Sequence, residues 1–187
     1  MPARIAVLSD THGLLRPEVL RIVRTCDCIL HGGDINQPEI LDELRTIAPL
    51  YAVRGNNDKD WAEDLPQSLS VTLEGVTFFM VHNKKDVPPE LDVAQIVVFG
   101  HSHKYFEQEL DGRLWLNPGS CGPRRFDQLI TMVCVTQRAD CPCKRTRCAR
   151  HGDCVACREY HKTDKKNTVY CQRPTREEKR LRRRRDS

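Results

Sequence analysis

Short, uninterrupted apolar runs, each followed by a tight group of glycines and polar side chains, constrain this sequence more than any other feature. Ile5-Ala6-Val7-Leu8 is continuous rather than alternating, as a strand covered on both faces must be. Behind it, Pro17 to Thr25 repeats apolar side chains at helical spacing (Val19, Leu20, Val23), with proline where the first helical turn tolerates it. Cys28-Ile29-Leu30 and Pro38 to Ile47 (Ile40, Leu41, Leu44) repeat the strand-helix step, Pro49 ends it, and Leu50 to Val53 gives a third strand. Downstream the pattern turns to hairpins. Leu69 to Leu73 and Val76 to Val81 flank Gly75, and Tyr105 to Leu110 and Leu114 to Leu116 flank Asp111-Gly112. Ile96 to Phe99 lies between the hairpins as another buried strand, and Leu129 to Val135 is the last. Parallel βα steps followed by hairpins predict an α/β (α+β) chain with mixed sheets.

The length of 187 residues, with 39% hydrophobic and 30% charged, suits one core plus an appendage and excludes a wholly disordered chain. No stretch approaches the roughly 20 apolar residues of a membrane span. Met1-Pro2-Ala3-Arg4 leads straight into a strand rather than an export signal, so the expectation is a soluble cytoplasmic protein with no membrane partner. In that reducing setting the ten cysteines read as metal ligands before disulfides. The net charge of +4 is unevenly spread: residues 1–138 hold 14 Lys and Arg against 19 Asp and Glu, whereas residues 139–187 hold 16 against 7. Six of the ten cysteines also lie in the second part. Three units are therefore expected: a main domain over 1–138, a Cys-rich module over 139–173, and a basic tail over 174–187. The tail holds too few apolar residues to bury surface, so disorder is expected there.

The polar residues fall where the strands end. Asp10 and His12 follow the first strand, Asp34 (in His31-Gly32-Gly33-Asp34) the second, and Asn56 (in Gly55-Asn56-Asn57-Asp58) the third. His82 follows Val76 to Val81, and His101 and His103, in Gly100-His101-Ser102-His103, follow Ile96 to Phe99. Open α/β sheets bind ligands at this edge. Carboxylate, imidazole and amide oxygen together suit divalent metals of intermediate hardness, such as manganese, iron or zinc, and the adjacent glycines let the backbone turn tightly. Taken singly, each motif reads first as an ordinary turn. The ordered series is what points to one centre, and both members of an Asp-x-His or His-x-His pair can reach it only if the chain bends after its strand.

In that order, Asp10-x-His12, Gly33-Asp34, Gly55-Asn56, His82 and Gly100-His101-x-His103 resemble the calcineurin-like metallophosphoesterases over roughly residues 4 to 137. With Asn117-Pro118-Gly119-Ser120, the short layout is most similar to the small YfcE-like phosphodiesterase branch. The resemblance implies a four-layer α-β-β-α sandwich of two mixed sheets with a binuclear metal centre at its crest. By the same resemblance Asp10, His12 and His103 hold one metal, Asn56, His82 and His101 hold the other, and Asp34 bridges them. Manganese heads the candidate ions, with iron, nickel or zinc as alternatives. The implied reaction is hydrolysis of a phosphodiester by a hydroxide shared between two cations about 3.5–4 Å apart, without a covalent intermediate. Asp34, Asn56 and His101 would carry the catalytic roles. Two departures stand out: Asn57 occupies a position where many members have a proton-donating histidine, and Asn83 rather than glycine follows His82. His31 and Asp58 are open between orienting a ligand and serving an ordinary strand-end or turn role. A scaffold lineage of the same fold has lost its ligands and supplies a non-catalytic alternative, against which the full set of seven argues.

The second part carries its own signal. Cys141-x-Cys143-x4-Cys148-x5-Cys154-x2-Cys157-x13-Cys171, with His151 and His161, places six thiols and two imidazoles in 31 residues. That is enough for two tetrahedral sites, and a segment so poor in apolar residues would draw its folding free energy from a metal. Structural zinc is expected first, with an iron-sulfur cluster, disulfides or solvated thiols as alternatives. The string is also similar to a short bacterial cysteine-rich domain, which names no activity. Lys144, Arg145, Arg147, Arg150, Arg158 and Lys162, followed by Arg180-Leu181-Arg182-Arg183-Arg184-Arg185, make nucleic acid a candidate partner, and a nucleic-acid-binding protein a further alternative, beside the reading of a plain solvated tail.

Overall fold

The computed structural model describes residues 3–91, 93–124 and 129–137. The predicted domain boundaries at 138 and 173, the thiols Cys141, Cys143, Cys148, Cys154, Cys157 and Cys171, and the basic tail lie outside the described residues.

The chain begins with two βα steps: β1 (Ala3–Leu8), α1 (Pro17–Val23), β2 (Cys28–His31), α2 (Pro38–Arg45) and β3 (Leu50–Ala52). Both helices start on proline, whose fixed φ and missing N–H suit the first turn. Each stops two residues before its predicted end, where Thr25 Oγ1 donates to the Ile22 carbonyl and Thr46 Oγ1 to that of Glu43, at 2.7 Å in both cases. β4 (Ser68–Leu73), β5 (Val76–Val81), β6 (Ile96–Val98), β7 (Tyr105–Leu110), β8 (Arg113–Pro118) and β9 (Val133–Gln137) follow. The last strand starts at Val133 rather than Leu129 because its ladder with β1 begins there, Val133 facing Val7; Ile130 instead forms an isolated bridge with Ser120.

One sheet has the order β3-β2-β1-β9, parallel except for β9, and the other has the order β4-β5-β6-β8-β7, in which β4 and β7 are the antiparallel members. Both sheets are mixed, as expected. The two-residue links Glu74-Gly75 and Asp111-Gly112 have φ of 49° and 76°, and 52° and 74°. Positive φ at both central positions is the type I′ geometry whose twist matches that of the flanking strands.

Side chains alternate along β1 and so divide two cores. Ile5 and Val7 point between the sheets, where they meet Leu30, Phe78, Met80, Ile96, Val98 and Leu116. Ala6 and Leu8 face Val19 and Val23 of α1 and Ile40, Leu41 and Leu44 of α2. Each fully buried side chain of this size contributes about 1.5–3 kcal/mol. The outer face of the second sheet, with Phe79, Val81, Val97 and Phe99, is packed against Val87 and Leu91. Among the described residues this layer is a 3₁₀ turn (Lys84–Asp86) and a loop rather than an α-helix, since Pro88-Pro89 cannot sustain one. Among the described residues no helix is long and apolar enough to cross a membrane. The four cysteines of this core are free thiols; Cys26 Sγ lies 3.8 Å from Cys134 Sγ, well beyond a disulfide bond.

Candidate metal centre

The bends anticipated after the strands are present in the backbone. Asp10, His12, Asp34, His101 and His103 have φ of 56°, 44°, 55°, 67° and 58°. Non-glycine residues seldom occupy this left-handed region; each costs of order 1–3 kcal/mol and persists only where its surroundings enforce it. Here the enforcement is backbone pairing between neighbouring crest loops: Asp10 N–H donates to the Gly33 carbonyl, His12 N–H to that of Asp34 and Gly13 N–H to that of Ile35, at 2.8 to 3.0 Å. The loops approach so closely that a Cβ on Gly55 would lie 2.1 Å from the Asp34 amide nitrogen.

These bends bring all seven predicted ligands to one crest. Ligand atoms of Asp10, His12, Asp34 and His103 lie within 4.8 Å of one another. His12 Nε2 and His103 Nε2 face each other at 3.1 Å, with Asp10 Oδ1 3.2 Å from His103 Nε2 and Asp34 Oδ2 3.7 Å from His12 Nε2. Beside them, His82 Nε2 lies 3.4 Å from Asp34 Oδ1, and Asn56 Oδ1 lies 3.1 Å from His82 Nε2 and 2.9 Å from His101 Nδ1. Asp34 thus stands between two groups of donors. Asp10, Asp34 and His82 are buried, His12 and His103 are half-buried, and Asn56 and His101 are exposed, so the centre opens on the Asn56–His101 side.

The donor set fits cations. Asp10 Oδ1 is fully buried and accepts no hydrogen bond from the described residues, a costly arrangement that a cation would relieve. His82 Nδ1 donates to the Gly32 carbonyl at 2.7 Å, which fixes the ring so that Nε2 faces Asp34 and Asn56. Burial pushes Asp34 up, but hydrogen bonds from His82 and Asn57 outweigh it and hold the carboxyl well below the usual carboxylate range. Burial likewise opposes the charged form of His82, and the Asp34 carboxylate outweighs it, so its pKa is raised.

Several residues hold this geometry from behind. Asp58, open between two roles in the sequence, accepts from the Ile35 and Asn36 amides through Oδ1, both at 2.7 Å, and from the Gly55 amide through Oδ2 at 2.8 Å; it joins the turns that present Asp34 and Asn56. His31 is buried; its Nδ1 accepts from the Gly33 amide at 3.2 Å, so its Nε2–H faces Thr11 Oγ1 at 3.1 Å. Asn57 donates to both oxygens of Asp34, from its side chain at 2.6 Å and its backbone at 2.8 Å. Sequence reasoning missed the supports in Asn117-Pro118-Gly119-Ser120. Asn117 Nδ2 donates to the Gly100 carbonyl at 2.7 Å, and Ser120 Oγ to that of Asp10 at 2.8 Å. Their available signal was that two polar residues flank a Pro-Gly pair at the end of a strand.

Comparison with known proteins gives concordant results. A sequence profile of the calcineurin-like phosphoesterase superfamily domain matches residues 3–140. A probable metallophosphoesterase of Methanothermobacter thermautotrophicus is 36% identical over 145 residues, 69% of this chain and 83% of that protein. A phosphodiesterase of Methanocaldococcus jannaschii is 26% identical over 140 residues, 63% of this chain and 84% of that protein. Among solved structures, Vps29 of Chaetomium thermophilum superposes with a TM-score of 0.63 at 21% identity, covering 73% of this chain and 83% of that one. The Escherichia coli phosphoesterase YfcE superposes with a TM-score of 0.59 at 20% identity, covering 71% and 87%. At these identities the two structures speak to the fold.

Proposed function

The chain belongs to the calcineurin-like phosphoesterase superfamily, and from that premise we propose that it is a binuclear metal-dependent phosphodiesterase. The observation that carries this reading is the convergence of Asp10, His12, Asp34 and His103, with a buried Asp10 oxygen that accepts no hydrogen bond from the described residues. Asp10, His12 and His103 would hold one cation, Asn56, His82 and His101 the other, and Asp34 both. Manganese is the first candidate, with iron, nickel or zinc as alternatives for this mixed oxygen and nitrogen set. Cations bound there lower the pKa of water and neutralise charge on phosphate oxygens.

The remaining work falls to the chain itself. Asp34, kept deprotonated by His82 and Asn57, offers one oxygen to each half of the centre. Asn56 and His101 stand on the open side and would face the substrate. Asn57, an amide already committed to Asp34, has no proton to give at neutral pH, so the leaving oxygen would depart best when it is stable as an anion. The Methanocaldococcus relative named as a phosphodiesterase supports the diester over the monoester. The catalytic unit is assigned to residues 1–138, and Cys141, Cys143, Cys148, Cys154, Cys157 and Cys171 to a separate structural zinc site in residues 139–173.

The test is metal analysis of the full chain together with hydrolysis of bis(p-nitrophenyl) phosphate and p-nitrophenyl phosphate in Mn²⁺. Diester cleavage should dominate and should fall on the order of 100-fold or more in Asp34→Asn and His101→Ala. Bound zinc lost in a Cys154→Ala/Cys157→Ala double variant, with diester cleavage retained, would support the separate site. A wild-type protein that takes up no metal and cleaves neither ester would sink the reading.

A further inference from the structure

On the outer face of the second sheet, the Lys84 ammonium sits among three rings, with Nζ 4.5 Å from the Phe106 centroid, 5.2 Å from that of Trp115 and 5.5 Å from that of Phe99. The rings pack on one another: Phe99 and Phe106 have centroids 5.8 Å apart, and Phe99 and Trp115 meet at 6.3 Å and 65°, close to edge-on. Three of the four partners in this box lie two or three residues from a proposed ligand. Lys84 comes two residues after His82, Phe99 two before His101, and Phe106 three after His103. Trp115, on β8, is paired with Val97 of β6 and Gln108 of β7 and sets the floor on which the other segments meet.

We propose that Lys84 is a positioning residue for the centre: its ammonium, shared by rings from three segments, fixes the spacing of His82, His101 and His103. The inference rests on reading these histidines as metal ligands. Asn83 accounts for how the lysine is presented. Its side-chain oxygen accepts the Lys85 amide at 3.1 Å and starts the 3₁₀ turn Lys84–Asp86, so the residue that departs from the family's glycine places Lys84 over the rings. The same two loops are joined on the ligand side by the Gly100 amide donating to the His82 carbonyl at 2.9 Å. A cation held by ring faces adds directional attraction that an apolar side chain of equal length lacks.

The experiment compares the full chain with Lys84→Met, Lys84→Ala and Lys84→Arg, measuring amide hydrogen exchange over residues 82–86 and 99–106 in chelator-treated protein and Mn²⁺ affinity by titration. In Lys84→Met, which keeps the stem and loses the charge, exchange in both segments should quicken and Mn²⁺ should bind about two- to fivefold more weakly. Lys84→Arg should restore both. If Lys84→Met matches wild type while Lys84→Ala does not, stem packing suffices and the inference falls. It falls too if exchange quickens with Mn²⁺ affinity unchanged, since the box then positions no ligand. Failure of wild type to bind Mn²⁺ defeats the functional reading, and this inference with it; normal wild-type binding with silent variants defeats this inference alone.

Discussion

His31 is fully buried, and burial outweighs the attraction of Asp58 and Asp10, so its pKa falls from the ordinary 6.5 to about 4. Between those values the unfolded chain binds a proton that the folded chain refuses, so stability rises with pH across this window. The contribution is complete above pH 6.5 and is lost progressively down to pH 4, about 3 kcal/mol in all. Melting of chelator-treated protein should therefore decline more steeply from pH 6.5 to 4 in wild type than in His31→Gln; parallel profiles would show that His31 is not held neutral. At this scale the residues that gather at the crest were legible, whereas of their supports only His31 and Asp58 were singled out, and those were left open. Asp10, His12, Asp34, Asn56, His82, His101 and His103 each combine a metal-binding type with a strand end, whereas Asp58 and Asn117 look like turn residues until their partners, Ile35, Gly55 and Gly100, are located in space.

Two kinds of turn share glycine for different reasons. Gly75, in the β4–β5 hairpin, has φ of 76° and nothing within 4 Å of a Cβ, so its requirement is conformational alone. Gly55 has no room, because its Cβ would meet backbone and carboxylate atoms of Asp34 at 2.1 and 2.2 Å. Gly75→Ala should cost about 1 kcal/mol by denaturant unfolding and leave Mn²⁺ affinity intact. Gly55→Ala should push the Asp34 turn away from the centre and abolish Mn²⁺ binding; retention of full affinity would mean that the crest loops are not packed as tightly as their distances show. The hairpins were readable because a Gly in a two-residue link between apolar runs has few alternatives. The outer layer of the second sheet was not, since Val87 and Leu91 are too sparse to signal an element and cover Phe79 and Val97 from a loop.

Across the whole molecule, the centre draws Asp10, His12, Asp34 and Asn56 from the first sheet and His82, His101 and His103 from the second. The sheets share an apolar core, but at the crest they meet through polar contacts such as His82 Nδ1 to the Gly32 carbonyl and the His101 amide to Asp10 Oδ2, at 2.7 and 3.2 Å. An ion that needs ligands from both sheets binds only the folded state, so it stabilises by RT ln(1 + [L]/Kd), about 2.7 kcal/mol at a free concentration 100 times Kd. For a domain of this size that raises the melting temperature by roughly 5–10 °C. Wild-type protein should therefore melt higher in Mn²⁺ than in chelator, and Asp34→Asn, which loses the carboxylate common to both halves, should forfeit most of the increment. Manganese is the discriminating ion because thiolates prefer softer metals, so the cysteines beyond residue 138 contribute little to its effect. An Asp34→Asn protein stabilised by Mn²⁺ as much as wild type would place the stabilising ion away from the crest. A shift confined to wild type ties the joining of the two sheets to the ligand set that their strand ends present.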